Sequence, residues 1–298
     1  MLVAFRSGPR NAADRGPHAS PQRCADRAPY MSHTDRIHDA VRVEHVADGA
    51  VARLIMERAD APLNVFTPSQ VETMAETVDE LAGDVGCLVL YGEPEFSAGA
   101  DLRLIEEAPA EMRAAKIDSI AAASNRLIRS LRMFPAPVIA AVARLSAGGG
   151  LGFTLASDLV VMHCDAVLNT AYAKIGLTPD NATPFFLVKT VGPYKARELL
   201  FDPQPISAAE AVELGLANRR IDGSESAFLD VTTEWAASLA DGPTAVYDQT
   251  KQLIDTTFEG RLNEHLEEER DAIKRISDSA VFDEGLSAFL EKREPEWE

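Results

Sequence analysis

Residues 143–158 read ARLSAGGGLGFTLASD. Three glycines, Gly148 to Gly150, stand between an apolar run (137–142) and a helix-like run (151–156). A strand–glycine–helix junction leaves backbone N–H groups bare at a helix N-terminus. Their partial positive charge can hold an anion, or an oxyanion that forms only during reaction. The spacing matches neither GxGxxG nor GxxxxGK(S/T), so the phosphate-cradle motifs do not apply. The same glycines also suit plain close packing of strand on helix. An oxyanion hole needs a second donor, and residues 95–105, EFSAGADLRLI, offer one. There Ala98, Gly99 and Ala100 leave room for a carbonyl to approach the backbone, although a simple turn accounts for them as well. Pro179-Asp180-Asn181 is turn chemistry in its own right.

Those stretches must be held by regular elements. VRVEHVADGAVARLIM (41–56) predicts a hairpin turning near Asp48-Gly49. Thr67 reads as an N-cap and Pro68 as the first helical residue, with apolar positions at helical spacing through Leu81. CLVLYG (87–92) is a short buried strand, and a long helix over about 110–133 precedes Pro135 and Pro137. PVIAAV (137–142), DLVVMH (158–163) and VLNT (167–170) are strand-like. Ser207 caps a helix that ends at Gly215. Residues 225–298 carry two or three amphipathic helices. Strands alternating with helices predict an α/β fold.

Composition narrows the function. The 298 residues suffice for a sizeable core, with 46% hydrophobic and 6% aromatic residues. A net charge of -18 argues against nucleic acid as a partner, since phosphate backbones need a basic field. Cys24, Cys87 and Cys164 lack metal or disulfide spacing, as do the six histidines. A cytoplasmic protein without a metal is expected. No apolar run approaches the ~20 residues of a membrane span. Residues 1–36, rich in Arg, Pro, Ala and Ser, read as a disordered extension, with Met31 a plausible second start.

The SAGADL and SAGGGLG stretches, in that order, resemble the enoyl-CoA hydratase/isomerase (crotonase) family. The resemblance extends to YAKIGLTPDNATPFFLVKTVG (172–192), KARELL (195–200), PISAAEAVELGLANRRI (205–221) and AFLEKREPEW (288–297). It implies a crotonase spiral of ββα units over 37–224, followed by a helical region over 225–298 that mediates assembly into a homotrimer or hexamer. It also implies an acyl-CoA thioester as substrate, with coenzyme A as part of the substrate rather than a separate cofactor. The family's oxyanion-hole donors fall on the N–H groups of Ala100 and Gly149. Ala98, Asp101, Leu102 and Tyr172 fall on acyl-site positions, and Lys292 on one near the CoA phosphates.

Hydratases of the family use two glutamates, and here their positions hold Gly152 and Tyr172. Water addition needs one group to activate water and one to protonate carbon. Asp180, in GLTPDN, matches the acid/base of a branch that includes phenylacetate-type enoyl-CoA isomerases and 4-chlorobenzoyl-CoA dehalogenase. In the dehalogenase a histidine activates water; here that position is Asn125, which the resemblance places at the acyl site, with core packing as the alternative. One carboxylate suffices for an isomerase, so double-bond migration or ring rearrangement of an acyl-CoA, with Asp180 as acid/base, is the expected activity. A hydratase-like lyase and a catalytically silent acyl-CoA-binding homologue are the alternatives. Ser146 and Arg144 are further candidates for the pocket.

Overall fold

The structure, a computed structural model, describes residues 34–38, 40–256, 262–293 and 295. The expected extension lies largely outside them, but its last three residues, 34–36, already belong to a strand. That strand, β1 (Thr34–His38), pairs antiparallel with β2 (Val41–Val46). A tight turn at Ala47–Gly49 then leads into β3 (Val51–Glu57), which pairs antiparallel with β2 as the hairpin expectation required. Chain order continues through α1 (Pro68–Leu81), β4 (Cys87–Glu93), α2 (Arg103–Glu106) and α3 (Ala110–Met133). Next come β5 (Val138–Val142), β6 (Leu145–Ala147), α4 (Gly149–Ala156), β7 (Leu159–His163) and β8 (Val167–Asn169). The remainder is α5 (Thr183–Phe201), β9 (Ile206–Ser207), α6 (Ala208–Glu213), β10 (Arg219–Ile221), α7 (Glu225–Ala240), α8 (Thr244–Thr256), α9 (Leu262–Ser277) and α10 (Ala280–Glu291).

The main sheet runs β1-β2-β3-β4-β5-β7-β10, parallel from β3 onward. Its central parallel strands, β4, β5 and β7, are predominantly apolar because helices cover both faces. Leu54, Leu88, Leu90, Val138 and Ala140 face α1, α3 and α4. Val51, Ile55, Val89, Tyr91, Ile139 and Val161 face Phe228 and Ala236 of α7.

A second layer explains the spiral. Each turn sends one strand to the main sheet, a short one to a smaller layer, and then a helix. The short strands β6, β8 and β9 pair in that order, and the isolated parallel bridges Ser97–Ser146 and Phe66–Ala100 extend the layer. Successive turns therefore stack the 97–100 and 146–149 segments side by side. This is the ββα spiral implied by the resemblance. The C-terminal region holds four described helices rather than two or three. Gly242-Pro243 separates α7 from α8, and Ser279 caps α10.

Candidate active site

The Phe66–Ala100 bridge decides where one N–H points. Phe66 N–H donates to Gly99 O at 2.9 Å, and Asp101 N–H donates to Phe66 O at 2.9 Å. In a parallel bridge of this kind the central residue turns its own N–H away from its partner. Ala100 N–H therefore faces the other side, into a cavity that Ala100 lines. Gly149 opens α4, so its N–H has no intrahelical partner. Among the described residues neither N–H has an acceptor.

Glycine brings the two together. A Cβ on Gly99 would lie 2.9 Å from Gly149 N, and the residue sits at φ +99°. A Cβ on Gly149 would lie 2.6 Å from Asn181 Nδ2 and 2.8 Å from Phe66 Cζ. A side chain at Gly99 would wedge the two segments apart, and one at Gly149 would displace the Asn181 and Phe66 side chains. The close packing that the glycines allow leaves both N–H groups beside one cavity.

The cavity beside these donors holds about 170 Å³. Its walls are mostly apolar, including Phe66, Leu102, Ile117, Ile120 and Leu177. Ile273 of α9 and Phe289 of α10 close it from the C-terminal region. Asp180 is the one carboxylate among the lining residues. Its Oδ1 accepts the Tyr172 hydroxyl at 2.8 Å. Burial pushes the Asp180 carboxyl up to about 7; the Tyr172 hydrogen bond opposes the rise and the nearby Glu269 adds to it. Tyr172 itself, fully enclosed, has its hydroxyl proton held far more tightly than usual, chiefly through burial. The site therefore offers a carboxyl group poised between acid and base near neutrality, in the same cavity as two N–H donors.

Other expected site residues sort clearly. Ala98, Leu102 and Tyr172 line the cavity. Asp101 does not: its carboxylate is taken by Arg58 Nη1 at 2.9 Å and by Arg103 Nε and Nη2 at 2.9 and 2.8 Å. Burial works against its ionisation, but these two guanidinium groups outweigh it and hold its carboxyl below the usual range. Asp101 braces the bridge instead of meeting the acyl group. Asn125 is likewise displaced from its expected role, because its Nδ2 donates to Leu266 O of α9 at 3.4 Å and ties α3 to that helix. Ser146 Oγ shares a buried hydrogen bond with Thr154 Oγ1 at 2.8 Å. Arg144 turns outward to Glu225. Lys292 caps α10, exposed, three residues beyond Phe289, and is not in the cavity wall.

Gly152 explains an absence. A Cβ there would lie 2.4 Å from Asn181 Cβ and 2.5 Å from Asn181 O. The loop that delivers Asp180 fills the space a side chain at 152 would need. Sequence reasoning missed Asn181, which lines the cavity and donates from Nδ2 to Gly149 O at 3.1 Å. Its place beside Asp180 in PDNAT was the available signal.

A family model described as Enoyl-CoA hydratase/isomerase matches residues 47–298. The 1,2-epoxyphenylacetyl-CoA isomerase of Escherichia coli is 31% identical over 258 residues, covering 86% of this chain and 97% of its own. The 4-chlorobenzoyl coenzyme A dehalogenase-2 of an Arthrobacter species is 32% identical over 255 residues, covering 85% and 91%. The crystal structure of an enoyl-CoA hydratase from Mycobacterium avium subsp. paratuberculosis superposes with a TM-score of 0.77 at 27% identity, covering 87% of this chain and 98% of that one.

Proposed function

The chain belongs to the enoyl-CoA hydratase/isomerase family, and from that premise we propose that it is an acyl-CoA isomerase with Asp180 as its acid/base. The observation that carries this reading is the single cavity carboxylate, buried and raised to about 7, in the same cavity as the N–H groups of Ala100 and Gly149. The thioester oxygen accepts from both N–H groups. Asp180 takes a proton from the carbon next to the thioester, leaving an enolate whose oxygen the two donors hold. The proton returns two carbons along and the double bond has moved. One group serves as base and then as acid, which suits a pKa near neutrality. The apolar walls keep water from the enolate. A hydratase-type pair is disfavoured because Gly152 is sealed by Asn181 and Tyr172 carries no carboxylate. Self-association into a homotrimer or hexamer belongs to the same reading.

The test is incubation with a 3-enoyl-CoA and its 2-enoyl isomer, following double-bond position and hydration separately. Interconversion without a hydrated product is expected, with Asp180→Asn lowering turnover by about 10²–10⁴-fold. Hydration as the dominant reaction, or full turnover by the variant, would overturn the assignment.

A further inference from the structure

The turn that carries Asp180 is strained backbone. Asn181 and Ala182, consecutive and both bearing a Cβ, sit at φ 54° and 55°. That left-handed region is tolerated by Asn181 but disfavoured for Ala182, where it persists only if neighbours over-determine it. One restraint is the Asn181 amide on Gly149 O. The other arrives from much later in the chain. Glu269 of α9 is buried, and its Oε2 accepts Ala182 N–H at 2.8 Å. Its Oε1 lies 2.9 Å from His265 Nε2, one helical turn back. One turn forward, Ile273 forms part of the cavity wall.

We infer that Glu269 is a positioning residue for the reaction: from α9 it locks the 180–182 turn through Ala182 N–H and sets a negative charge behind the Asp180 carboxyl group. The inference rests on the reading of Asp180 as the acid/base. Burial raises the Glu269 carboxyl above its ordinary value, while Ala182 N–H and the adjacent His265 ring favour its anion. At Asp180 the anion acts in the same direction as burial and against the Tyr172 hydrogen bond. The other charges around α9 engage its neighbouring positions. Asp118 and Arg129 of α3 bind Arg270 and Glu267, and Arg113 of α3 binds Asp283 of α10. Lys189 of α5 stacks on Phe185, whose ring also contacts His265.

Glu269→Gln tests this, since the amide oxygen still accepts from Ala182 N–H but the charge is gone. Protonation of Asp180 is read in substrate-free protein from its carboxyl infrared band, assigned by its loss in Asp180→Asn. The midpoint should fall by about one pH unit, and the acid limb of kcat/KM should follow. A midpoint that stays in place or rises overturns the inference. Because this readout needs no turnover, it is separate from the activity of Asp180→Asn, which judges the acid/base reading alone. Should Glu269→Gln fold poorly, Ala182→Gly with Glu269→Gln replaces it, because glycine adopts φ 55° without a restraint. The same fall is expected there, and an unmoved midpoint again overturns the inference.

Discussion

The Tyr172 hydroxyl lies 2.8 Å from Asp180 Oδ1, with both side chains closed off from solvent. A hydroxyl donating to a carboxylate favours the ionised form. It keeps a deeply buried carboxyl from rising beyond the range where it can serve as a base at neutral pH. Tyr172→Phe should therefore raise the Asp180 midpoint above about 7. The acid limb of kcat/KM should shift upward by about one pH unit, with roughly fivefold lower activity at pH 7. A pH–rate profile of the variant checks both.

Gly149→Ala is expected to cost much more. Its methyl would meet Asn181 Nδ2 and Phe66 Cζ at 2.6 and 2.8 Å, so those side chains or the Gly149 backbone must shift, disturbing the N–H at the cavity. Losing one oxyanion donor typically costs about 10²–10³ in kcat. Steady-state kinetics should place the loss in kcat rather than in KM, since the donor acts most strongly on the enolate.

Local signals carried far in this chain. Thr67 accepts from Gln70 N–H, and Ser207 from Glu210 N–H, because caps depend on neighbours three residues apart. The glycine run and SAGADL were legible for the same reason, as each records how close the backbone must come. The Asn125 expectation came from a position in a pattern, and the side chain instead meets Leu266 of α9. Arg144 was placed near the pocket and pairs with Glu225. Glu269 was invisible because its partner, Ala182, lies 87 positions away. Nothing in a run of charges on an amphipathic helix marks which carboxylate turns inward.

Gly152→Glu would restore a carboxylate at a hydratase position of the family, yet it should not yield a hydratase. Even its Cβ would lie 2.4–2.5 Å from Asn181 Cβ and O, so the Asp180 loop must move. Overpacking of this kind costs about 1–3 kcal/mol, and an unpaired buried charge adds to it. Urea unfolding should show the loss of stability, and an assay with crotonyl-CoA should show no gain in hydration. Loss of isomerisation should accompany both.

Lys251 of α8 sets a separate limit on stability. Its buried Nζ donates to Leu131 O at 2.9 Å, Phe134 O at 3.2 Å and Asp158 Oδ2 at 2.8 Å. Lys251→Met keeps the apolar stem but strips three acceptors of a donor. The expected loss is about 2–4 kcal/mol by denaturant titration, softened because Arg132 still pairs with Asp158. The pH profile of turnover should not move.

A buried carboxyl should itself weaken the fold, and pH reveals by how much. The Asp180 carboxyl ionises near 3.8 when exposed and near about 7 in the folded protein. Between those values the unfolded chain has released a proton that the folded chain still holds. Stability must then fall as pH rises from about 4 to about 7, and level off above. Each unit of displacement corresponds to about 1.4 kcal/mol, so the whole effect is on the order of 4 kcal/mol. Asp180→Asn removes the titration while leaving an oxygen for the Tyr172 hydroxyl. Near pH 4 the two proteins should unfold at similar temperatures. At pH 8 the variant should melt higher, by about 2–4 °C per kcal/mol recovered. Calorimetric scans across that range check it. A gap that stays constant with pH would mean that Asp180 is ionised in the folded protein throughout, and so is no general acid at neutrality.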